Sequence, residues 1–181
     1  QTTYFLEGKY QRYFSNNLSL KTGVQRTSIN NENVPGTGIL PLIPNYLSYE
    51  TGGFISVNKK YEKLSLMAGA RADYEAQGVA TILRDVPRRV VDYDRIFRTY
   101  NLALGSKYEI NKNSRLRYNI GYASRNPGIN ELYSFGLHQG VSGIEEGDPD
   151  LRTEVSVKNT LSFQGELKEK LYFEILGYHQ S

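Results

Sequence analysis

The chain has 181 residues, 39% of them hydrophobic, and its 22 basic and 19 acidic side chains leave a formal charge of +3. Mean hydropathy is −0.53, and no run approaches the roughly 18 apolar residues of a spanning helix, so a helical membrane protein is excluded. The charges are nearly balanced and spread along the chain without a basic stripe, which argues against nucleic acid, and the absence of cysteine excludes disulfides and thiolate metal sites.

Tyrosine is abundant, with 15 Tyr and 7 Phe but no Trp. Amphipathic rings suit a boundary between apolar and wet surroundings, although strand-rich proteins of any kind are also rich in them. The chain opens at Gln1 without an initiating Met or a targeting segment, and is expected to be an internal piece of a longer protein.

Period-2 alternation dominates the chain. Eight strands are predicted near 2–13, 18–29, 47–58, 64–76, 96–108, 115–125, 153–164 and 171–179, all with antiparallel neighbours. The clearest runs from Leu64 to Tyr74: Leu64, Leu66, Ala68, Ala70, Ala72 and Tyr74 share one face, while Ser65, Gly69, Arg71 and Asp73 share the other with Met67 as an apolar exception. Leu116, Tyr118, Ile120 and Tyr122 alternate with Arg115, Arg117, Asn119 and Gly121. Val155, Val157, Leu161 and Phe163 form a similar row, interrupted by Asn159. Low hydropathy is what such dilution produces in a spanning barrel, whose inward charges require a polar interior. The last strand, from Leu171 to Tyr178, is apolar on both sides, so its lipid-facing side stays open.

Short turns are predicted near Ser15–Asn17, Asn58–Lys60, Asn111–Asn113 and Gly165–Lys170, and long loops over Asn30–Tyr46, Gln77–Arg95 and Asn126–Arg152. Alternating short and long connections are the pattern of an up-and-down barrel, with the long loops expected outside the cell. Because unpaired backbone groups are costly in hydrocarbon, such a sheet must either close on itself or be completed by further strands.

The sequence Ser124-Arg125-Asn126-Pro127-Gly128-Ile129-Asn130-Glu131-Leu132-Tyr133 is followed by Gly136-Leu137-His138-Gln139-Gly140 and then by Glu146-Gly147-Asp148-Pro149-Asp150-Leu151-Arg152-Thr153-Glu154. This stretch closely resembles the signature of TonB-dependent outer-membrane receptors. Tyr49-Glu50-Thr51-Gly52-Gly53-Phe54-Ile55 and Met67-Ala68-Gly69-Ala70-Arg71-Ala72-Asp73-Tyr74 look like a second, weaker part of the same pattern. The resemblance implies an all-β fold: a partial antiparallel up-and-down transmembrane β-barrel, about eight strands of a larger one, with residues 1–181 forming one partial barrel domain. It implies the outer membrane, and energy-coupled uptake of a scarce nutrient such as a siderophore, haem or free metal. The implied partners are membrane lipid and lipopolysaccharide, a small-molecule or metal-chelate substrate, and the TonB coupling protein. Contact with TonB would pass through a plug region that this chain lacks, as it lacks a terminal strand ending in an aromatic residue. Neither an enzyme nor a resident cofactor is implied.

Ligand contacts are expected in the long loops. The resemblance suggests that His138, with Glu145, Glu146 and Asp148, captures a metal or metal chelate, against the plainer reading of polar residues that order their own turn. The four carboxylates from Glu145 to Asp150 could also suggest calcium, but their spacing is not that of an EF-hand. Arg84 and Arg88, with Arg89, could grip phosphates or an anionic chelate, or be solvated loop charge. Gly147, Pro149 and Leu151 read as shape: Gly for an unusual dihedral, Pro for the turn, Leu for the start of an apolar face. The apolar Ile39-Leu40-Pro41-Leu42-Ile43-Pro44 is expected to pack over the barrel mouth or a partner. With only His138 and His179, no hydrolytic spacing stands out. The competing readings are a complete small outer-membrane barrel serving as adhesin, structural protein or hydrolase, and a soluble β-sandwich.

Overall fold

A computed structural model describes residues 1–36, 41–82, 90–138, 143–167 and 170–181, with the side chains of residues 82, 90 and 138 outside the description. Eight long strands form one antiparallel sheet: β1 (Thr2–Phe14), β2 (Leu18–Asn31), β3 (Asn45–Lys60), β4 (Leu64–Ile82), β5 (Val90–Asn111), β6 (Ser114–Arg125), β9 (Glu154–Leu167) and β10 (Leu171–Gln180). They lie side by side in chain order. Between β6 and β9 the chain forms a short helix, α1 (Ile129–Tyr133), and a separate hairpin of β7 (Phe135–His138) and β8 (Gly143–Glu146). The eight strands do not close: β1 and β10 are the two edges, exposed on both faces. The sheet is thus a partial barrel rather than the self-contained small barrel of the competing reading.

The strand register carries each residue's face across the sheet. Ala70 pairs with Ile55 and Leu102, Ile55 with Thr22, and Leu102 with Tyr122, so these residues share one face. The same outer face holds Leu20, Val57, Ala68, Leu104 and Ile120 in the next row. From Leu64 to Tyr74, at about 3.3 Å per residue and a tilt of about 40°, the apolar row projects to roughly 25 Å, the height of a bilayer-spanning band. The large apolar side chains of this face stay exposed, with Leu102 at 54% and Leu104 at 58%, because nothing among the described residues packs against them.

Cations on the outer face stand near the two ends of this band, each over an aromatic ring. Arg26 lies over Tyr49 at 5.8 Å and Arg98 over Tyr74 at 5.9 Å at one end; Arg12 lies over Phe14 at 5.0 Å and Lys59 over Tyr61 at 5.5 Å at the other. Long basic side chains placed there reach water while their stems lie along apolar surface. Asn159, which interrupts the apolar row of β9, accepts a 2.9 Å hydrogen bond from the Tyr118 hydroxyl on the neighbouring strand, so its carbonyl is matched within the sheet.

The inner face is polar and internally bonded. Lys107 pairs with Glu109 at 2.8 Å, and Arg115 donates to Gln164, whose amide donates in turn to Glu174 at 2.7 Å. Arg71 pairs with Asp73, two residues along β4. That pair lies across Gly52 on β3, where a Cβ would overlap both the carboxylate and the guanidinium. The small residue of the Tyr49–Ile55 motif and the Gly-x-Arg-x-Asp motif are therefore two sides of one contact. β10 is resolved by pairing Ile175 with Phe163, which places Ile175 on the outer face and Tyr172, Glu174 and Leu176 on the inner one.

Two predicted connections differ. The turn placed at Asn58–Lys60 lies at residues 61–63 instead, since Lys60 still pairs with Ser65 and Tyr61 N–H donates to Leu64 O at 2.7 Å. The long loop placed over Gln77–Arg95 is mostly strand: β4 runs to Ile82 and β5 begins at Val90, paired throughout.

Ala70→Arg, in the middle of the outer face, is expected to destabilise folding of the complete receptor into lipid vesicles by about 2–4 kcal/mol. Ser65→Arg, on the inner face, is expected to stay within about 0.5 kcal/mol. Denaturant titration in vesicles measures both, and equal costs would reject the assignment of faces.

Candidate functional site

Beyond the row of Ala76 and Ile96 the alternation of β5 reverses, while β4 keeps Gly78 and Ala80 outside and Gln77 and Thr81 inside. Asp92 and Asp94 occupy the outer face and are exposed, whereas Tyr93 of β5 and Val79 of β4 point to the inner face, with Val79 only 2% exposed; Phe97, on the same face, precedes that row. The reversal has a partner. The segment after β6 folds back over this part of the inner face, and Leu132 and Tyr133 of α1 pack with Val79 against Tyr46, Tyr93, Phe97 and Ile129. Tyr93 and Tyr133 stack with ring centroids 5.7 Å apart. This cluster is the core among the described residues, and it belongs to the loop end of the sheet.

The signature motif builds the clamp that holds this segment down. Arg125, the last residue of β6, grips both carboxylate oxygens of Glu131 at 2.9 and 3.0 Å and reaches Glu154, the first residue of β9, at 3.0 Å. Glu131 also accepts the Gly128 N–H at 2.7 Å, closing the start of α1. The Arg125 guanidinium first, and the Gly128 N–H second, hold the Glu131 carboxyl below the usual carboxylate range. Asn126 donates to Glu75 on β4 at 3.0 Å and accepts from Thr153 at 3.0 Å, tying the segment to the wall on one side and to the approach to β9 on the other. Burial among apolar neighbours pushes the Tyr133 phenol up.

Gly147 completes the clamp. Its N–H donates to Ser134 O and the next N–H, of Asp148, donates to Glu131 O, both at 2.8 Å. A Cβ on Gly147 would stand 2.7 Å from the Leu132 carbonyl carbon and the Tyr133 nitrogen. The glycine is required by close approach to α1 and not by an unusual dihedral, since the positive-φ glycines among the described residues are Gly36 and Gly136. Leu151 likewise falls outside any strand, three residues before β9, and is 38% exposed.

Between this lid and the wall lies a cavity of about 390 Å³. Leu42, Ile43, Tyr46 and Ile129 supply apolar walls. Of the Ile39–Pro44 loop, Leu42 O accepts the Phe135 N–H at 3.0 Å, while residues 39 and 40 lie outside the described residues. Ser48, Glu75, Gln77 and Glu145 supply polar groups. Glu75 is held by three neutral donors, Ser48 Oγ at 3.3 Å, Gln77 Nε2 at 2.7 Å and Asn126 Nδ2 at 3.0 Å. Gln77 is 2% exposed, and its Oε1 has no hydrogen-bond partner among the described residues.

Of the residues singled out from sequence, Glu145 lines this cavity from β8, and Glu146 precedes the clamp glycine opposite Phe135. Asp148 is exposed and its Oδ1 accepts the Asp150 N–H at 2.8 Å, so it orders the turn. His138 ends β7 opposite Gly143, with its side chain outside the description; Arg84 and Arg88 lie outside the described residues altogether. Among the described residues no group of three or more His, Cys, Asp or Glu side chains is placed to hold a metal ion. Glu75, Gln77 and Ser48 were not singled out. Ser48 and Glu75 sit on strands whose alternation looks like ordinary barrel wall, Gln77 falls at the start of the expected Gln77–Arg95 loop, and only the fold of the lid brings them together.

Residues 1–179 match the profile of the family described as TonB dependent receptor-like, beta-barrel. No curated relative matches the sequence. Among solved structures, a double mutant of the Serratia marcescens hemophore receptor HasR, in complex with its hemophore HasA and heme, superposes with a TM-score of 0.77 at 16% identity, covering 98% of this chain and 32% of that one. The copper transporter OprC superposes with a TM-score of 0.70 at 17% identity, covering 97% of this chain and 30% of that one. At these identities the likeness is one of fold, and the chain spans about a third of the length of either protein.

Gly147→Ala forces the new methyl into the α1 backbone and is expected to cost about 1–3 kcal/mol, read as faster protease cleavage within residues 126–153 of the folded receptor. Because the Glu131 carboxyl is lowered, the stability it confers is present above its ordinary pKa and lost as pH falls through the lowered value. Cleavage in that segment should therefore rise as pH falls below the ordinary carboxylate range in the native receptor, and Glu131→Gln should show the raised cleavage at neutral pH as well.

Proposed function

Because the chain belongs to the TonB-dependent receptor-like β-barrel family, we propose that it forms part of the wall and ligand-receiving mouth of a receptor that imports a scarce nutrient, a metal ion or metal chelate, with energy supplied through TonB. Members of this family are receptors and transporters of the Gram-negative outer membrane, not enzymes. The observation that carries the reading is the change along the sheet from an apolar outer band of bilayer height to a loop end whose inner face holds a core under a lid. The band faces lipid, and the basic side chains at its ends meet the headgroups, including lipopolysaccharide phosphates at the outer leaflet. The lid and the remaining long loops face outside the cell.

Ligand reaches the mouth through the loops. His138, Glu145, Glu146 and Asp148 contact it from the hairpin and the turn that follows, and Arg84 and Arg88 from the loop between β4 and β5. Neutral imidazole with carboxylate oxygens suits a first-row metal or its chelate, and the guanidinium groups suit an anionic chelator. A hemophore receptor and a copper transporter among the proteins of the same fold favour a metal-linked nutrient over a carbohydrate. Passage inward then requires a plug to be moved by the coupling protein, through parts of the receptor outside this chain.

The test is uptake by cells carrying the complete receptor. Haem, copper and a panel of ferric siderophores are supplied singly, with and without an intact energy-coupling protein. One of them is expected to enter only when both are present, and His138→Ala with Glu145→Ala is expected to lower its binding roughly tenfold at unchanged surface level. Equal entry of every nutrient in cells lacking the receptor would remove the proposal.

A further inference from the structure

We propose that Arg26 and Arg98, on the outer face at the loop end of the apolar band, form one binding site for a lipid whose headgroup carries two phosphates, the diphosphorylated glycolipid of an outer leaflet. This rests on reading the loop end as the outside of the cell, and narrows headgroup contact to one place and one ligand. Strand register puts the two exposed arginines in a single row: Arg26 of β2 pairs with Thr51, Thr51 with Tyr74, and Tyr74 with Arg98 of β5. Three interstrand steps of about 4.8 Å set their backbones roughly 14 Å apart. The side chains shorten that gap. Arg26 lies over the Tyr49 ring of β3 and Arg98 over the Tyr74 ring of β4, so each guanidinium reaches toward the other, and the two rings are diagonal neighbours on adjacent strands.

The charge of these two arginines is unmatched within the sheet. On the inner face Arg71 is paired with Asp73, and Arg125 with Glu131 and Glu154, whereas among the described residues no carboxylate pairs with Arg26 or Arg98. The first carboxylate on the outer face of β5 is Asp94, four residues from Arg98 and roughly 13 Å along the strand. A ring beneath a guanidinium fixes its place and leaves the in-plane N–H groups free to hold phosphate oxygens in pairs. The counter-ion therefore comes from the medium. The site stands on β2 to β5, each of which has both neighbours in this sheet, so strands joining at β1 or β10 do not cover it. Below the row, β4 turns Ala72, Ala70 and Ala68 outward, with Ile55 and Val57 of β3 on one side and Leu102 and Leu104 of β5 on the other. The small side chains leave a furrow between taller apolar ridges, a lane for an acyl chain hanging from the headgroup. Free phosphate would use the arginines but not the furrow, so the occupant is a lipid.

The experiment titrates the complete receptor in detergent with diphosphoryl lipid A, read by native mass spectrometry, with a chelator present so that no divalent cation bridges phosphate to Asp92 or Asp94. Monophosphoryl lipid A and cardiolipin are the comparison lipids, and inorganic phosphate is the competitor. Diphosphoryl lipid A, with its phosphates at opposite ends of a disaccharide, is expected to bind about tenfold more tightly than the monophosphoryl form, the effect of one further charged hydrogen-bonded contact. Cardiolipin, whose phosphates share one glycerol, is expected to match the monophosphoryl lipid, and equimolar phosphate to displace neither. Arg26→Gln and Arg98→Gln, each alone, are expected to weaken diphosphoryl lipid A about tenfold and to erase its advantage. Arg12→Gln, over Phe14 at the opposite end of the band, is expected to leave that advantage unchanged.

Equal binding of the one- and two-phosphate lipids, cardiolipin as tight as diphosphoryl lipid A, displacement by inorganic phosphate, or an advantage that survives either arginine variant would overturn the proposal. Lipid binding here needs neither nutrient nor energy coupling. A two-phosphate preference without any nutrient uptake would leave the lipid site standing and remove the transport reading, and uptake without the preference would do the reverse.

Discussion

A strand in hydrocarbon has no water to satisfy its N–H and C=O groups, and each group left unpaired costs several kcal/mol. This requirement organises the chain. It explains why β4 and β5 remain in register along their paired length, and why each connection at the turn end is as short as the pairing permits. It also explains the two bare edges. β1 and β10 expose both faces and an unpaired ladder, which is consistent with a sheet that needs neighbours beyond these eight strands.

Pairing in turn fixes what side chains can do. Once register is set, every residue is committed to the outer or the inner face, and the polarity of each face is decided by its surroundings rather than by the strand. In the band the outside is greasy and the inside carries ion pairs. A few residues farther along the same strands, the outside carries Asp92 and Asp94 and the inside carries Val79 and Tyr93. The chain does not change direction or pairing at that level. Only the medium changes, from lipid outside and polar protein inside to water outside and a folded lid inside. The lid stays in place because Arg125 joins the end of β6, the start of α1 and the start of β9, and because Gly147 lets two backbones touch. The fold of the loop end is thereby tied to the wall.

The strands that cross the band were legible from alternation alone, because lipid on one side and polar groups on the other leave a period-2 trace with constant phase. Leu64 to Tyr74 is the plainest example. The same method read Gln77–Arg95 as a long loop because Asp92 and Asp94 break the outer row of β5 and only small residues, Gly78 and Ala80, continue that of β4, so a test for one continuous apolar row stops there. The segment 126–152 was also taken as one irregular loop. Its helix spans five residues, too few to show a 3.6-residue period, and its hairpin strands span four each. The motif residues were visible, but the reason for Gly147 was not: close approach to α1 leaves no mark within five residues of sequence, whereas a dihedral requirement and a packing requirement both select glycine.

What the sequence determined by itself is the alternation, the number of long strands, the polar interior and the compartment, because each follows from local composition repeated along a strand or from a motif carried intact. What only the tertiary structure decided is which residues meet. Glu75 and Gln77 on the wall, Leu42 and Ile43 in one loop and Glu145 in another come from segments separated by tens of residues, and they converge only because the segment after β6 folds back onto the sheet. Strand periodicity reports the side of the sheet a residue faces. The distance between two loops is set by the clamp that holds them, and no local pattern encodes it.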